Sequence, residues 1–154
     1  MGRMYTTGFE GVTVSAQQDL IALTCAANKV VVIHRAEFTQ EDAETAEQLT
    51  VELHRISADG SGGTAVAAAN VAKHDPGDAA SSASARVNDT TPGAEVANTT
   101  VWRSGQDDRM GFLFHPTPEE RPVIAGGAKA AFALMTTPST GRKMSGTVTF
   151  EEIG

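Results

Sequence analysis

The chain has 154 residues and a mass of 16.0 kDa, with 40% hydrophobic, 20% charged and only 5% aromatic residues, enough for one domain whose core is built from Val, Ala, Leu and Ile. Its 12 basic against 19 acidic side chains leave a net charge of −7, which repels a phosphate backbone and an anionic bilayer and argues against nucleic-acid or membrane partners. No apolar run approaches the roughly 18 residues of a membrane helix, Met1-Gly2-Arg3-Met4-Tyr5 leads into no signal-peptide stretch, and the single Cys25 has no partner for an internal disulfide, so a reducing cytoplasm is expected.

Apolar residues recurring with period two predict strands, in chain order, over residues 9–14, 19–25, 29–38, 48–56, 63–71, 83–87, 99–103, 110–114, 130–135 and 143–150. In 29–38 the alternation sets Val30, Val32, Ala36 and Phe38 on one face, with Val31, Ile33, Arg35 and Glu37 on the other. In 48–56, Leu49, Val51 and Leu53 alternate with Thr50, Glu52 and His54, a face expected to meet water. Turn signals separate the runs: Asp59-Gly60-Ser61-Gly62-Gly63, Asp75-Pro76-Gly77-Asp78, Asn88-Asp89-Thr90-Thr91-Pro92-Gly93, Gly126-Gly127 and Pro138-Ser139-Thr140-Gly141. The one helical signal is the capped, acidic stretch 39–47, which reads equally as a short helix or a solvated loop because it has almost no apolar face. The Ala/Ser-rich 65–69 and 79–85 read as strand or loop. The expected fold is all-β, an antiparallel, jelly-roll-like β-sandwich of about eight to ten strands with at most one short helix. It spans residues 1–154 as one domain, with 1–7 as an extended N-terminal arm.

Motifs with chemical content are scarce. His34, His54, His74 and His115 lie at least 20 residues apart, without the His-x-His spacing that sets two ligands on one strand face, so no metal site is expected. The sequence holds neither a Gly-x-Ser-x-Gly elbow nor a paired Cys/His signature, and Cys25 ends an apolar strand as an inert buried thiol. The acidic pairs read as solvated loops, and Gly60-Ser61-Gly62-Gly63 lacks the context of a phosphate-binding loop. Asn88-Asp89-Thr90 and Asn98-Thr99-Thr100 read as chance glycosylation triplets. No catalytic residue, metal or cofactor is therefore expected. The remaining candidates are for partner binding. Trp102 and Arg103 are residue types enriched at interfaces. Phe114 leads into a stiff stretch with Pro116, Pro118 and Pro122, and Arg3, Met4 and Tyr5 form an anchor-like trio.

The opening Tyr5-Thr6-Thr7-Gly8-Phe9-Glu10-Gly11-Val12-Thr13-Val14-Ser15, the stretch His115-Pro116-Thr117-Pro118-Glu119-Glu120-Arg121-Pro122-Val123-Ile124 and the closing Ser145-Gly146-Thr147-Val148-Thr149-Phe150-Glu151-Glu152-Ile153-Gly154 together resemble small β-rich structural proteins of tailed bacteriophages. The resemblance implies a virion component without an active site, a capsid decoration or cement protein that binds the major capsid protein on the capsid exterior after assembly in the host bacterial cytoplasm. It also implies self-association, with a trimer favoured. A carbohydrate-binding jelly roll with Trp102 as platform, or a head-fibre or tail component, shares these features.

Overall fold

The computed structural model describes residues 2–42 and 45–154. Two antiparallel sheets pack face to face. The first contains β1 (Arg3–Val14), β3 (Val30–Gln40), β6 (Ala72–Lys73), β10 (Phe112–Phe114), β11 (Val123–Ala125) and β13 (Arg142–Ile153). The second contains β2 (Gln18–Thr24), β4 (Gln48–Ala58), β5 (Thr64–Val66), β7 (Ser84–Asp89), β8 (Ala94–Glu95), β9 (Trp102–Asp107) and β12 (Lys129–Leu134). The 13 strands exceed the expected number because β6, β8 and β11, of two or three residues each, are too short to show a period.

Their order explains the architecture. The first sheet runs β10-β3-β13-β1 and the second β9-β4-β12-β2, so β1 to β4 alternate between the sheets, β9 returns beside β4, the chain then crosses again to β10, β12 and β13, and β1 lies beside β13. This is jelly-roll order. Residues 59–101 interrupt it between β4 and β9. That insertion adds β7 and then β5 beyond β2, gives the first sheet only the two-residue β6 beyond β1, and returns to the far edge of β4 as β8. β7 and β8 lie on opposite sides of β2, β12 and β4, so their connection has to cross a face of the sheet. The Gly93 N–H donates to Asp19 Oδ2 at 2.7 Å, and a Cβ at Gly93 would stand 2.6 Å from the Ala58 carbonyl oxygen, so glycine lets the crossing press against the sheet's outer face.

Between the sheets lies a continuous core that includes Tyr5, Val14, Leu20, Ile21, Phe38, Leu49, Leu53, Phe132, Val148 and Phe150. β13 alternates without exception, its residues 142, 144, 146, 148, 150 and 152 all buried. β3 does not follow the expected alternation. Val31 and Ile33 point inward, then Ala36 and Phe38, because the register against β13 slips between Thr149 and Phe150, where one extra β3 residue is accommodated at His34. The polar face of β4 does not meet water. Glu52 and His54 are buried under the crossing and the strand that follows it.

Other expectations change as well. Residues 63–71 form β5 and then a 3-10 turn at Ala68–Asn70, not one strand. The helical signal at 39–47 falls partly on 43 and 44, outside the described residues. Thr39 and Gln40 continue β3, and Glu41, Asp42 and residues 45–47 are irregular. The expected arm at 1–7 is a sheet strand from Arg3 onward, paired with β13 from Arg3↔Glu152. Asn88 and Asn98 both adopt left-handed backbone, φ 56° and 61°, a turn conformation that asparagine tolerates better than most residues.

One buried cation joins loop segments to this framework. Arg142, at the head of β13, donates from Nε to Asp108 Oδ2 at 2.7 Å and from Nη2 to the Thr45 carbonyl at 2.9 Å and Glu47 Oε2 at 2.8 Å. Its side chain is 2% exposed and that of Asp108 0%. Breaking such a pair from one side strands a charge in the interior, whereas replacing both partners removes the problem. Asp108→Ala is expected to lower unfolding free energy by about 3–5 kcal/mol, and Asp108→Leu combined with Arg142→Met by clearly less, as chemical denaturation will read.

Candidate functional site

Among the described residues β9 pairs only with β4 and β10 only with β3, so each is an edge strand, and the two edges lie on the same side of the sandwich. Alternation along β9 turns Trp102 inward, where its ring meets Phe114 edge-on at 5.2 Å and 61° and Phe132 at 6.3 Å and 68°. Phe114 and Phe132 stand 5.6 Å apart, which completes an aromatic triangle between the sheets. Outside it opens a cleft of about 500 Å³ lined by Val101, Trp102, Leu113, Phe114, His115, Pro116 and Glu120. Its apolar rim is wet, with Val101 47% and Leu113 54% exposed, and Met110 in the preceding turn 81% exposed. Exposed large apolar residues gathered at one sheet edge are a feature of binding surfaces.

The proline-rich stretch is built into this edge. β10 pairs with Ala36, Glu37 and Phe38 and β11 with Val30, Val31 and Val32, so the chain loops out past the β3 bulge between them. The Ile33 N–H donates to the Pro122 carbonyl at 3.0 Å, and the Glu120 N–H to the Thr117 carbonyl at 3.0 Å. Pro118 opens the 3-10 turn Pro118–Glu120. The loop is thus ordered before any contact, and its prolines remove donors that a passing strand would otherwise use.

Of the residues nominated from sequence, Trp102, Phe114 and Pro116 converge in the cleft, while Pro118 is exposed and Pro122 buried in the adjoining loop. Arg103 does not join them. As the next residue in β9 it faces the other way and pairs with Glu52 on the outer face of the second sheet. The trio Arg3, Met4 and Tyr5 also divides. Tyr5 is fully buried and its hydroxyl donates to the Ala79 carbonyl at 3.0 Å, Arg3 reaches Asp78 at 3.4 Å, and Met4 is half-buried. Strand alternation keeps Arg3 and Tyr5 on one face, where they contact the neighbouring Asp78 and Ala79, and turns Met4 to the other. Val101 and Leu113 were missed, although Phe112-Leu113-Phe114 places an apolar side chain at an outward position, which is a legible sign of an unusual edge.

The four histidines occupy separate places. His34 contacts Glu151 Oε2 at 3.2 Å, His74 contacts Thr6 Oγ1 at 2.8 Å, His115 lines the cleft, and His54 is buried under the insertion. Among the described residues no group of three or more His, Cys, Asp or Glu side chains is arranged to hold a metal ion. Cys25 is buried, its thiol donates to the Lys29 carbonyl at 3.1 Å, and burial pushes its pKa up, away from the reactive thiolate.

The second concentration of polar groups lies beneath the crossing. Asp89 holds Arg86 through two hydrogen bonds of 2.8 and 2.7 Å, and Asp19, 1% exposed, accepts from Gly93. Both ring nitrogens of His54 and the Oδ1 of Asp19 are buried without a hydrogen-bond partner among the described residues. Burial pushes the Asp19 carboxyl above the usual aspartate range, and nearby Asp89 adds to this, while the Gly93 N–H and His54 oppose it. A raised folded-state pKa means that the native state holds this proton more tightly than the unfolded chain. The group's contribution to stability therefore falls as pH rises from the ordinary value near 3.8 through the folded one. No protein-family model matches this chain, and no curated protein or solved structure matches it significantly. Asp19→Asn keeps an acceptor for Gly93 and removes the buried charge. It is expected to be more stable than the parent at pH 7, with the difference shrinking toward about pH 4 in thermal melts run across that range.

Proposed function

We propose that this protein is a non-enzymatic structural module of a tailed-phage virion, a capsid decoration protein that binds the major capsid protein lattice on the capsid exterior. The observation that supports this reading is the cleft at the β9 and β10 edges. There, exposed Val101 and Leu113 surround a pre-ordered aromatic and proline framework that was nominated from the sequence as a partner seam. The sequence resemblance, which implies adhesion without chemistry, supplies the identity of the partner. Net charge −7 is compatible with an outer capsid surface and not with contact to packaged DNA.

Adhesion of this kind depends on repetition. A modest seam contributes a weak single contact, and self-association, with a trimer as the favoured form, multiplies it when the copies engage one lattice together. The framework and the rim then have separate roles. Trp102 packs against core ring Phe132 and sets the shape of the cleft, while Leu113 and Val101 meet the partner.

The test is co-sedimentation with phage capsids lacking this protein, alongside light scattering of the free protein. Leu113→Glu is expected to lower capsid occupancy by about tenfold or more with stability within about 0.5 kcal/mol of the parent. Trp102→Ala is expected to lose about 2–4 kcal/mol of fold stability in addition to occupancy. Failure of the parent protein to bind capsids overturns the reading. Saturable binding to a polysaccharide in its place would assign the cleft to carbohydrate recognition.

A further inference from the structure

The side of the sandwich opposite the cleft is incomplete. On the second sheet the insertion extends two strands past β2, to β7 and β5. The first sheet is extended past β1 only by β6, which pairs with Tyr5 and Thr6 alone. From Gly8 to Val14, β1 has β13 on one side and, among the described residues, no strand on the other. The sheet below overhangs this edge, and between them lies a groove of about 490 Å³ whose apolar lining includes Phe9, Val12, Val66 and Val87. Phe9, Val12 and Val66 are only half-buried, so apolar side chains line the groove and remain open to an occupant.

The backbone on this edge is available. The His74 N–H donates to the Met4 carbonyl at 3.0 Å and Thr6 pairs with Ala72, so even-numbered residues in this half of β1 turn their amide groups toward the open side. Gly8 continues that set beyond the end of β6. The free edge from Gly8 to Val14 is divided by a β-bulge, where the register against β13 shifts between Phe9 and Val12 and Gly11 takes φ 62°, so an added strand would pair in two short runs, one at Gly8 and one beside Val12–Val14. A second copy cannot dock here edge to edge, because its own sheet overhangs its β1 by two strands, roughly 9–10 Å. A single extended segment fits.

Charge selects the kind of segment. Glu10 stands exposed on the rim with no ion pair among the described residues. The adjoining cleft on the outer face shares Phe9 and Glu10 and adds Glu37, paired with Arg35 at 2.7 Å, and Glu41, 3.7 Å from Lys143, so the charge offered to a partner's cation is that of Glu10. We propose that the β1 edge from Gly8 to Val14 is an acceptor site for an extended, proline-free arm of a partner protein. The arm would add as a strand to the first sheet, with small apolar side chains in the groove and Lys or Arg against Glu10. Backbone ladder bonds would supply register, while the groove and the rim carboxylate supply specificity. This site is separate from the β9/β10 cleft and does not depend on the capsid reading.

The probe is a fluorescent synthetic peptide, as long as Gly8–Val14, in which valine alternates with lysine and threonine; its control carries glutamate in place of lysine. Anisotropy is expected to show saturable binding of the lysine peptide, about tenfold tighter than the control. Amide hydrogen exchange is expected to slow at Gly8 and its neighbours and to stay unchanged in β9 and β10. Glu10→Lys, an exposed change, should reverse the preference between the two peptides, Val66→Lys should weaken binding of both, and Leu113→Glu should leave both as in the parent. Absence of saturable binding, protection that maps to β9 or β10, or binding indifferent to Glu10→Lys overturns the proposal. If Val66→Lys does not fold, the Glu10→Lys comparison and the exchange map still decide it.

Discussion

A guanidinium that water cannot reach has to be surrounded by acceptors, and that requirement at Arg142 organises the end of the molecule on which the cleft depends. Asp108 lies in the turn that joins β9 to β10, the strands whose edges form the cleft, and Glu47 and Thr45 precede β4, the strand on which β9 is laid. One side chain at the start of β13 therefore fixes the approach of both sheets' edges. Asp107 reinforces the turn by accepting from the Arg109 N–H at 3.0 Å, and the Asp108 N–H donates to the Glu47 carbonyl at 3.0 Å. With the turn held, Trp102 and Phe114 are placed ring to ring, and the apolar rim outside them is presented by rigid elements.

The insertion of residues 59–101 is the other determinant. By crossing the outer face of the second sheet it converts β2 and β12 into strands buried on both faces, which is why Asp19, Glu52 and His54 lose water although they occupy the outward positions of their strands. The small side chains of Ala22 and Ala131 beneath the crossing let it sit close. Burial of so many ionisable groups is a cost that the Arg86–Asp89 and Arg103–Glu52 pairs offset in part, while Asp19 Oδ1 and both ring nitrogens of His54 stay without a hydrogen-bond partner among the described residues. The same insertion widens one sheet without the other and so leaves the groove beside β1.

The sandwich itself was legible in the sequence because strand alternation and turn chemistry are local. Each of the ten period-two runs overlaps a strand, though 99–103 meets only the first two residues of β9, and β13 follows its pattern residue by residue. What was not legible depends on partners far along the chain. The bulge at His34 reverses the inward set of β3 only because of its register against β13. The polar face of β4 looks wet until a crossing that begins more than thirty residues later covers it. Met1 to Thr7 reads as an arm carrying the trio Arg3, Met4 and Tyr5, yet its Arg3–Thr7 portion pairs with the far end of the chain. Within the site, Trp102, Phe114 and Pro116 were identifiable by residue type, whereas adjacent Arg103 was carried to the opposite face by the alternation that predicts the strand. Arg142 and Asp108 carry no local signal, since a buried ion pair is defined by its surroundings and not by its neighbours in sequence.

Pairing of β1 with β13 also determines how the molecule bears load. The ladder is antiparallel, with Arg3 opposite Glu152 and Val14 opposite Arg142, so tension applied between residues 3 and 152 acts on one end of the ladder and peels its hydrogen bonds in succession. Tension entering through β9 or β10 meets a different geometry, because those strands are joined to the interior through Asp108 and Arg142 and must shear against β4 and β3 along their lengths. The fold is therefore mechanically anisotropic. It is compliant when drawn apart along its first and last strands and stiff when pulled through the edge that carries the cleft.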